Sequence, residues 1–432
     1  MEMMGGFSFV PLAADKEGVF ASADKDELQQ LIADGDLTDI LVLSHGWNNE
    51  ETSARGLYRR LLTSMKTRMD EDPADWSGRR FGVAGVFWPS VAFPANWFAQ
   101  SEGRSGHAAS IEQTDQDLRD SLSKTLDTLR YLLDADHTKI AELKALLPDI
   151  GIKASARKKF LRTLQSLLPE PSDPDSDNSG EFKTSGDDLI AEMQAPLPPT
   201  FQNLQPPTIA EGGAAGIGSF ASGFMAGTSR LLNYATYFVM KERAGKVGAG
   251  LNSVLAGVRS QFPELRIHLA GHSFGARVVT AAAGGLTPFA PSTMSLLQGA
   301  FSHNAFAPAN PVGFYRNVVA QRRVRGPIMV THTRNDRAVG ILYALASRVS
   351  GVNASAFGNA NDEFGGIGSN GARMMAQGEA SDGMLLGTGE AYGRLLAGLP
   401  NNLRADQFIS DHSDVAGEEV ANALLAAIRA AA

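Results

Sequence analysis

The sequence predicts an α/β fold: a doubly wound, mostly parallel sheet that carries a large helical insertion. Three observations lead there. Short, almost wholly apolar runs, Asp39-Ile40-Leu41-Val42-Leu43-Ser44 and Phe81-Gly82-Val83-Ala84-Gly85-Val86-Phe87-Trp88, suit central strands buried on both faces. Segments with apolar residues at helical spacing alternate with such runs. Between residues 90 and 241 that alternation stops. This stretch is therefore expected as an insertion into one core built from 1–89 and 242–432.

The elements follow in order. The first ninety residues alternate strand and helix. The strand over 39–44 leads into His45-Gly46-Trp47-Asn48-Asn49. A helix follows, with Asn48 or Asn49 as cap, Glu50 and Glu51 in its first turn, and Leu57, Leu61, Met65 and Met69 as its stripe. The strand over 81–88 closes at Pro89. A long amphipathic helix is expected over 111–133, with Leu118, Leu122, Leu126, Leu129 and Leu133 on one face. Shorter helices are expected around 138–147 and 154–168. Eight of the twenty prolines lie within residues 169–207, and residues 170–188 hold seven carboxylates but only Lys183. Such composition cannot bury a core and reads as a solvated, mobile tether.

Alternation resumes near 242. A helix through Leu251, Val254, Leu255 and Val258 ends before Phe262-Pro263. Strands are expected over 265–270, 296–301, 328–333 and 407–410. The last helix takes Asp414 as its N-cap and Val420, Leu424 and Ile428 as its stripe. Residues 351–389 contain ten glycines. That stretch and 212–240 are expected to be mobile enough to gate a site.

At 432 residues the chain has room for about two to three domains. Hydrophobic residues are 43% and charged residues 20%, as in soluble globular proteins. A net charge of −8 argues against a nucleic-acid partner and against an anionic membrane surface. The absence of cysteine excludes disulfides, a thiol nucleophile, iron–sulfur clusters and Cys-ligated zinc. Residues 212–229 are uncharged over 18 positions, but six are Gly and none is Leu or Val, so no transmembrane span is expected. The start lacks the basic and apolar regions of a signal peptide, so a cytoplasmic chain is expected, with signal-less export left open. Oligomeric state is not set by the sequence.

Gly271-His272-Ser273-Phe274-Gly275 matches G-x-S-x-G. An apolar strand precedes it and Ala276-Arg277-Val278-Val279-Thr280-Ala281 can continue as a helix, which is the strand–turn–helix setting the motif needs. Glycines on either side let neighbouring chain segments approach, and Ser273 then projects at the carboxyl edge of the sheet.

On these residues and on His45-Gly46 the chain resembles the α/β-hydrolase superfamily, specifically its serine esterases and lipases. The resemblance covers most of the core in element order but not the insertion, which here precedes the nucleophile strand. It implies the α/β-hydrolase fold, with Ser273 as nucleophile and the chain order Ser, acid, His. Of the eight histidines, only His303, His332 and His412 follow Ser273. His412 lies after the Gly-rich stretch and before the last helix, where the family holds its base. Asp336, just past the strand over 328–333, is the matching acid. His303 and His332 sit on or beside strands and are expected in supporting roles. The oxyanion hole falls to the backbone N–H groups of Phe274 and Trp47, with His45 shaping the Trp47 loop. No metal or organic cofactor is implied.

Phe87, Trp88, Phe93, Trp97 and Phe98 cluster where a strand enters the insertion. Trp88, Phe93 and Trp97 are candidates for an apolar substrate pocket, and burial of the insertion against the core explains them equally well. The function expected is hydrolysis of carboxylic esters with an apolar acyl or alcohol group, the substrate being a small-molecule or lipid ester. A lipase or phospholipase, with export as an effector left open, is the nearest alternative, and a non-catalytic binding protein on the same fold is the second. Thioesters and amides are not separated from esters by these residues.

Overall fold

All six residues of Asp39–Ser44 are buried, as an apolar run with two covered faces requires. The computed structural model describes residues 2–47, 51–90, 115–133, 135–172, 179–184, 189–193, 217–309, 312–336, 338–339 and 364–431. The chain divides into two units: Met1–Val91, Arg243–Val339 and Gly365–Ala432 form the first, Ala92–Glu242 and Gly340–Phe364 the second.

In chain order the elements used below are β1 (Glu2–Met4), β2 (Phe7–Ala13), α1 (Ser22–Asp34), β3 (Asp39–Ser44), α2 (Glu51–Glu71) and β4 (Phe81–Phe87), then α3 (Asp115–Leu133), α4 (His137–Ile150), α5 (Ala154–Gln165) and α6 (Ile217–Gln261). There follow β5 (Arg266–His272), α7 (Phe274–Gly284), β6 (Thr293–Leu297), β7 (Ile328–His332), β8 (Ser381–Met384), β9 (Pro400–Arg404) and α8 (Glu418–Ala430). The first unit is an α/β structure on one nine-stranded sheet of order β1-β2-β4-β3-β5-β6-β7-β9-β8. Only β1 pairs antiparallel; the other described pairs are parallel.

The order fixes where a site can form. β3 and β5 are neighbours, in register from Asp39↔Arg266 to Ser44↔Gly271. The chain leaves β3 through α2 towards β4 on one side and leaves β5 through α7 towards β6 on the other. Adjacent strands with diverging connections make a topological switch point, and the crevice lies at their carboxyl ends. One face of the sheet (Leu41, Leu43, Val83, Ala270, Leu297, Met329, Leu403) packs with α2 and α8 in a single apolar core. Ile40 and Val42 alternate to the opposite face and are equally buried. Burial of Val420, Leu424, Leu425 and Ile428 ties α8 down, at about 1.5–3 kcal/mol gross each.

Asp39, buried at the amino end of β3, clamps the opposite edge. It accepts hydrogen bonds from Thr38 Oγ1 (2.7 Å), Arg79, Arg266 Nε (2.9 Å) and His268 Nε2 (2.9 Å). Burial by itself raises a carboxyl. The bonds from His268, Arg79 and Arg266 more than offset that and hold Asp39 well below the usual range.

The second unit contains α3, α4 and α5, whose buried faces are Leu122, Leu126 and Leu129, then Ile140, Leu143 and Leu147, then Phe160, Leu161 and Leu164. Phe182 meets Tyr234 edge-on at 4.9 Å in the same unit.

Several expected elements fall elsewhere. Residues 217–240, expected to be a mobile Gly-rich gate, belong to the 45-residue helix α6. Glycines cost a helix about 1 kcal/mol each, and burial of Leu231, Leu232, Tyr234, Tyr237 and Phe238 offsets them. The strand expected over 296–301 ends at Leu297 because Gln298 takes φ 45°. The strand expected over 407–410 is a turn, with Phe408 and Ile409 N–H both donating to Ala405 O. The true strand is β9, disguised by Asn401 and Asn402, whose buried amides bond Leu399 O, Leu396 O and Ala372 O. Within 351–389, Ile367–Asn370 is a short buried helix and β8 is sheet. The residues before 364 in that stretch lie outside the described residues, as do most of 169–207 and the expected caps Asn48 and Asn49. Among the described residues no helix is long and apolar enough to cross a membrane.

Candidate active site

Ser273 joins β5 to α7 with φ 58° and ψ −122°, a conformation that costs a serine on the order of 1–3 kcal/mol. The surroundings impose it. Ser273 N–H donates to Leu297 O (3.0 Å), and Ser273 O accepts from Ala276 N–H (3.1 Å) and Ala300 N–H (3.0 Å). A Cβ at Gly275 would collide with the Ser44 carbonyl and lie 2.7 Å from His45 O, and one at Gly271 would collide with Gly275 O. Only glycine fits on either side of the turn.

The structure brings Ser273, His412 and Asp336 together. His412 Nε2 lies 2.8 Å from Ser273 Oγ and His412 Nδ1 lies 2.9 Å from Asp336 Oδ2. A carboxylate only accepts, so Nδ1–H donates to Asp336 and Nε2 is left to accept from the Ser273 hydroxyl. Asp336 Oδ1 accepts from Val339 N–H (3.1 Å), and Oδ2 also accepts from Gln298 Nε2 (3.3 Å).

The two turns that carry Asp336 and His412 are tied to each other. Asn335 Nδ2 donates to Asp406 O (3.0 Å) and Ile409 O (2.8 Å), and Thr333 Oγ1 donates to Asp406 Oδ1 (2.7 Å). Asp414 does not cap α8, whose N-cap is Gly417. It accepts from Ser410 N–H (3.1 Å) and Ser410 Oγ (2.8 Å), closing the turn around His412. His272 Nε2–H donates to the His412 carbonyl at 2.8 Å. Burial, with His412 adding to it, pushes the His272 imidazole down to about 3, so it stays neutral.

The loop after β3 lies against Ser273. A Cβ on Gly46 would be 2.5 Å from Ser273 Cβ and 3.0 Å from its Oγ. His45 holds this loop. Its Nδ1–H donates to Gly46 O (2.9 Å), its Nε2 accepts from Trp88 N–H (3.3 Å), and its backbone N–H donates to Tyr58 Oη (2.8 Å). Tyr58 in turn donates to Val86 O at 2.7 Å. Burial pushes His45 down to about 4 against the opposing bond to Gly46, and burial pushes the Tyr58 phenol well up. Trp47, next in the loop, meets Phe274 edge-on with ring centroids 6.1 Å apart. The two residues expected to supply oxyanion donors are thus in contact with each other, one directly after Ser273 and one directly after Gly46.

Trp88, a candidate equally for a substrate pocket and for burial, packs on the loop after β3. It is 4% exposed, its indole N–H donates to His45 O (3.1 Å), and its ring stacks on His45 at 5.7 Å. Phe93 and Trp97 lie outside the described residues. His303 and His332 are buried; burial first, and then Arg373, takes His332 down to about 4. Sequence reasoning gave no role to Gln298, Asn335, Tyr58 or Asp406. The one signal for Gln298 was a polar residue directly after an apolar strand at the carboxyl edge. Among the described residues no group of three or more His, Asp or Glu side chains is arranged to hold a metal ion.

The arrangement supports nucleophilic attack. The Ser273 proton can pass to His412 as Oγ attacks, and Asp336 fixes the imidazole tautomer that accepts it. Comparison of the chain with models of protein families, with curated proteins and with solved structures finds no match.

Proposed function

We propose that this chain is a serine hydrolase of the α/β-hydrolase type that cleaves carboxylic esters with an apolar acyl or alcohol group. The observation that carries the reading is the unbroken hydrogen-bonded line from Ser273 Oγ through His412 to Asp336, at 2.8 and 2.9 Å, starting from a serine in a strained turn. Placement of nucleophile, acid and base after β5, β7 and β9 supports the hydrolase fold.

In the reaction, Ser273 Oγ attacks the ester carbonyl and its proton moves to His412 Nε2. The oxyanion is held by the Phe274 and Trp47 N–H groups, a contribution of about 3–4 kcal/mol per donor. His412 then gives the proton to the departing alkoxide, leaving an acyl-Ser273 ester. Water, deprotonated by His412, attacks that ester; as the acyl–Oγ bond breaks, His412 returns the proton to Ser273 Oγ and the carboxylic acid leaves. Asp336 orients His412 and stabilises the imidazolium.

p-Nitrophenyl esters of increasing acyl length test this. Turnover by wild type, with a burst of p-nitrophenol when deacylation is slow, supports the reading, and the length preference sizes the pocket. A rate jump on emulsified lipid identifies a lipid ester as substrate. Folded protein that turns over no ester, thioester or amide, with or without lipid, overturns the reading in favour of a binding protein.

A further inference from the structure

Gln298 follows the last residue of β6 and is fully buried. Its φ of 45° is a left-handed conformation that a glutamine adopts at a cost. Its backbone N–H donates to Thr331 Oγ1 at 3.2 Å. Its side-chain amide uses both hydrogens: Nε2 donates to Gly368 O (2.9 Å) and to Asp336 Oδ2 (3.3 Å). The amide has one workable orientation, since turning it over would set its oxygen against a carbonyl and a carboxylate, both acceptors. Gly368 allows no retreat, for a Cβ there would be 2.6 Å from the Gln298 carbonyl carbon. Oε1 has no hydrogen-bond partner among the described residues.

A left-handed backbone and an orphaned buried acceptor are both unfavourable. What they secure is one N–H at Asp336 Oδ2, the same oxygen that accepts His412 Nδ1–H. We propose that Gln298 is a positioning residue that shares the charge on Asp336 Oδ2 with His412, and so sets both the direction and the strength of the acid's hold on the base. This rests on the triad reading above. A donor on one side of a carboxylate oxygen draws charge from the hydrogen bond on its other side. Without Gln298 the imidazolium is held more strongly, and the carboxylate is freer to rotate, with Val339 N–H remaining on Oδ1. The ionisable groups that act on one another here are Asp336, His412, His272 and His45. Asp406, bound by Thr333 Oγ1, stands next to them.

The test compares wild type with Gln298→Met, which keeps the shape and loses the donor, and with Gln298→Glu. The full-length chain hydrolyses p-nitrophenyl butyrate from pH 5 to 9, and kcat and KM are read separately. Gln298→Met is expected to lower kcat about tenfold to a hundredfold, the loss of one hydrogen bond to a charged group. KM stays near the wild-type value and the acid limb of kcat/KM moves to higher pH. Gln298→Glu is expected to work at low pH, where its protonated carboxyl donates as the amide does. It fails at higher pH, where two adjacent carboxylates repel, so its plateau becomes a bell. A merely structural Gln298 would lower the melting temperature and leave the pH profiles parallel to wild type, and parallel profiles overturn the proposal. The catalytic reading fails separately, if wild type neither hydrolyses the ester nor takes up a fluorophosphonate. In that case NMR titration of the 15N-labelled His412 ring still decides: a midpoint raised in Gln298→Met supports the role, and coincident midpoints refute it.

Discussion

Lowering the pH from 8 to 5 removes stability from the first unit chiefly through three buried neutral histidines, and His268, which burial also holds below its ordinary value, adds to the loss. His45, His272 and His332 are held down to about 4, 3 and 4, with burial the leading cause for each. Unfolded, each returns to 6.5, the ordinary value. Between those limits the unfolded chain binds protons that the folded chain refuses. Stability is therefore full above pH 6.5 and falls as the pH drops towards 4. At 1.36 kcal/mol per proton per pH unit, each histidine costs about 2 kcal/mol at pH 5, and together they cost about 6 kcal/mol. That is a large share of the 5–15 kcal/mol a domain holds. Urea unfolding, followed by the fluorescence of Trp47, Trp76 and Trp88, all in this unit, gives the stability at each pH. The slope is expected to approach about 4 kcal/mol per pH unit near pH 5.5, and His332→Gln is expected to cut it by about a third. A stability that stays level from pH 8 to 5, or a slope of one proton, would refute the assignment of these histidines as buried and neutral.

Other perturbations separate catalysis from stability. Gly46→Ala sets a Cβ 2.5 Å from that of Ser273; a displacement of about 1 Å costs on the order of a hundredfold in kcat/KM, and full activity in ester hydrolysis would contradict the packing. Asp336→Asn offers Nδ2–H where the carboxylate accepted, turns His412 to the wrong tautomer and is expected to lower kcat about 10⁴-fold, with an unchanged circular dichroism spectrum. Tyr58→Phe leaves His45 N–H and Val86 O without their shared hydroxyl and is expected to destabilise by about 1–3 kcal/mol in the same urea assay. Asp39→Asn strips the charge that Arg79, Arg266 and His268 surround. It is expected to cost about 3–5 kcal/mol with the pH–rate profile unmoved, since Asp39 lies at the far end of β3.

The strands that were legible are those with a mostly apolar central run. β3, β4, β5 and β7 bury both faces, and a run such as Ile40-Leu41-Val42-Leu43 has no other use. β9 hid because two of its four buried positions are Asn401 and Asn402, and only the folded chain supplies the carbonyls that make those amides tolerable. The decoy at 407–410 carries Phe408 and Ile409 because they pack on the core with α8, not because the segment pairs in a sheet. The end of β6 depended on the backbone of Gln298, which composition does not encode. Glycine frequency misled over 217–240, where burial outweighs propensity. The line Ser273–His412–Asp336 was reached from the motif, from chain order and from a last strand placed a few residues too late; it survived because the true strand, β9, also precedes His412. The parts that hold it were illegible, because Asn335, Asp406, Tyr58 and Gln298 act through backbone partners up to 74 positions away.

The most direct test of the account is covalent. Wild-type protein, Ser273→Ala and His412→Ala are incubated with a fluorophosphonate probe, and any adduct is located by peptide mass. The expected result is a single adduct on Ser273 in wild type, none in Ser273→Ala, and labelling slowed by at least about 10³-fold in His412→Ala, where the base that activates the hydroxyl is gone. A folded wild type that takes up no probe in buffer or with lipid, or an adduct that persists in Ser273→Ala, would contradict it.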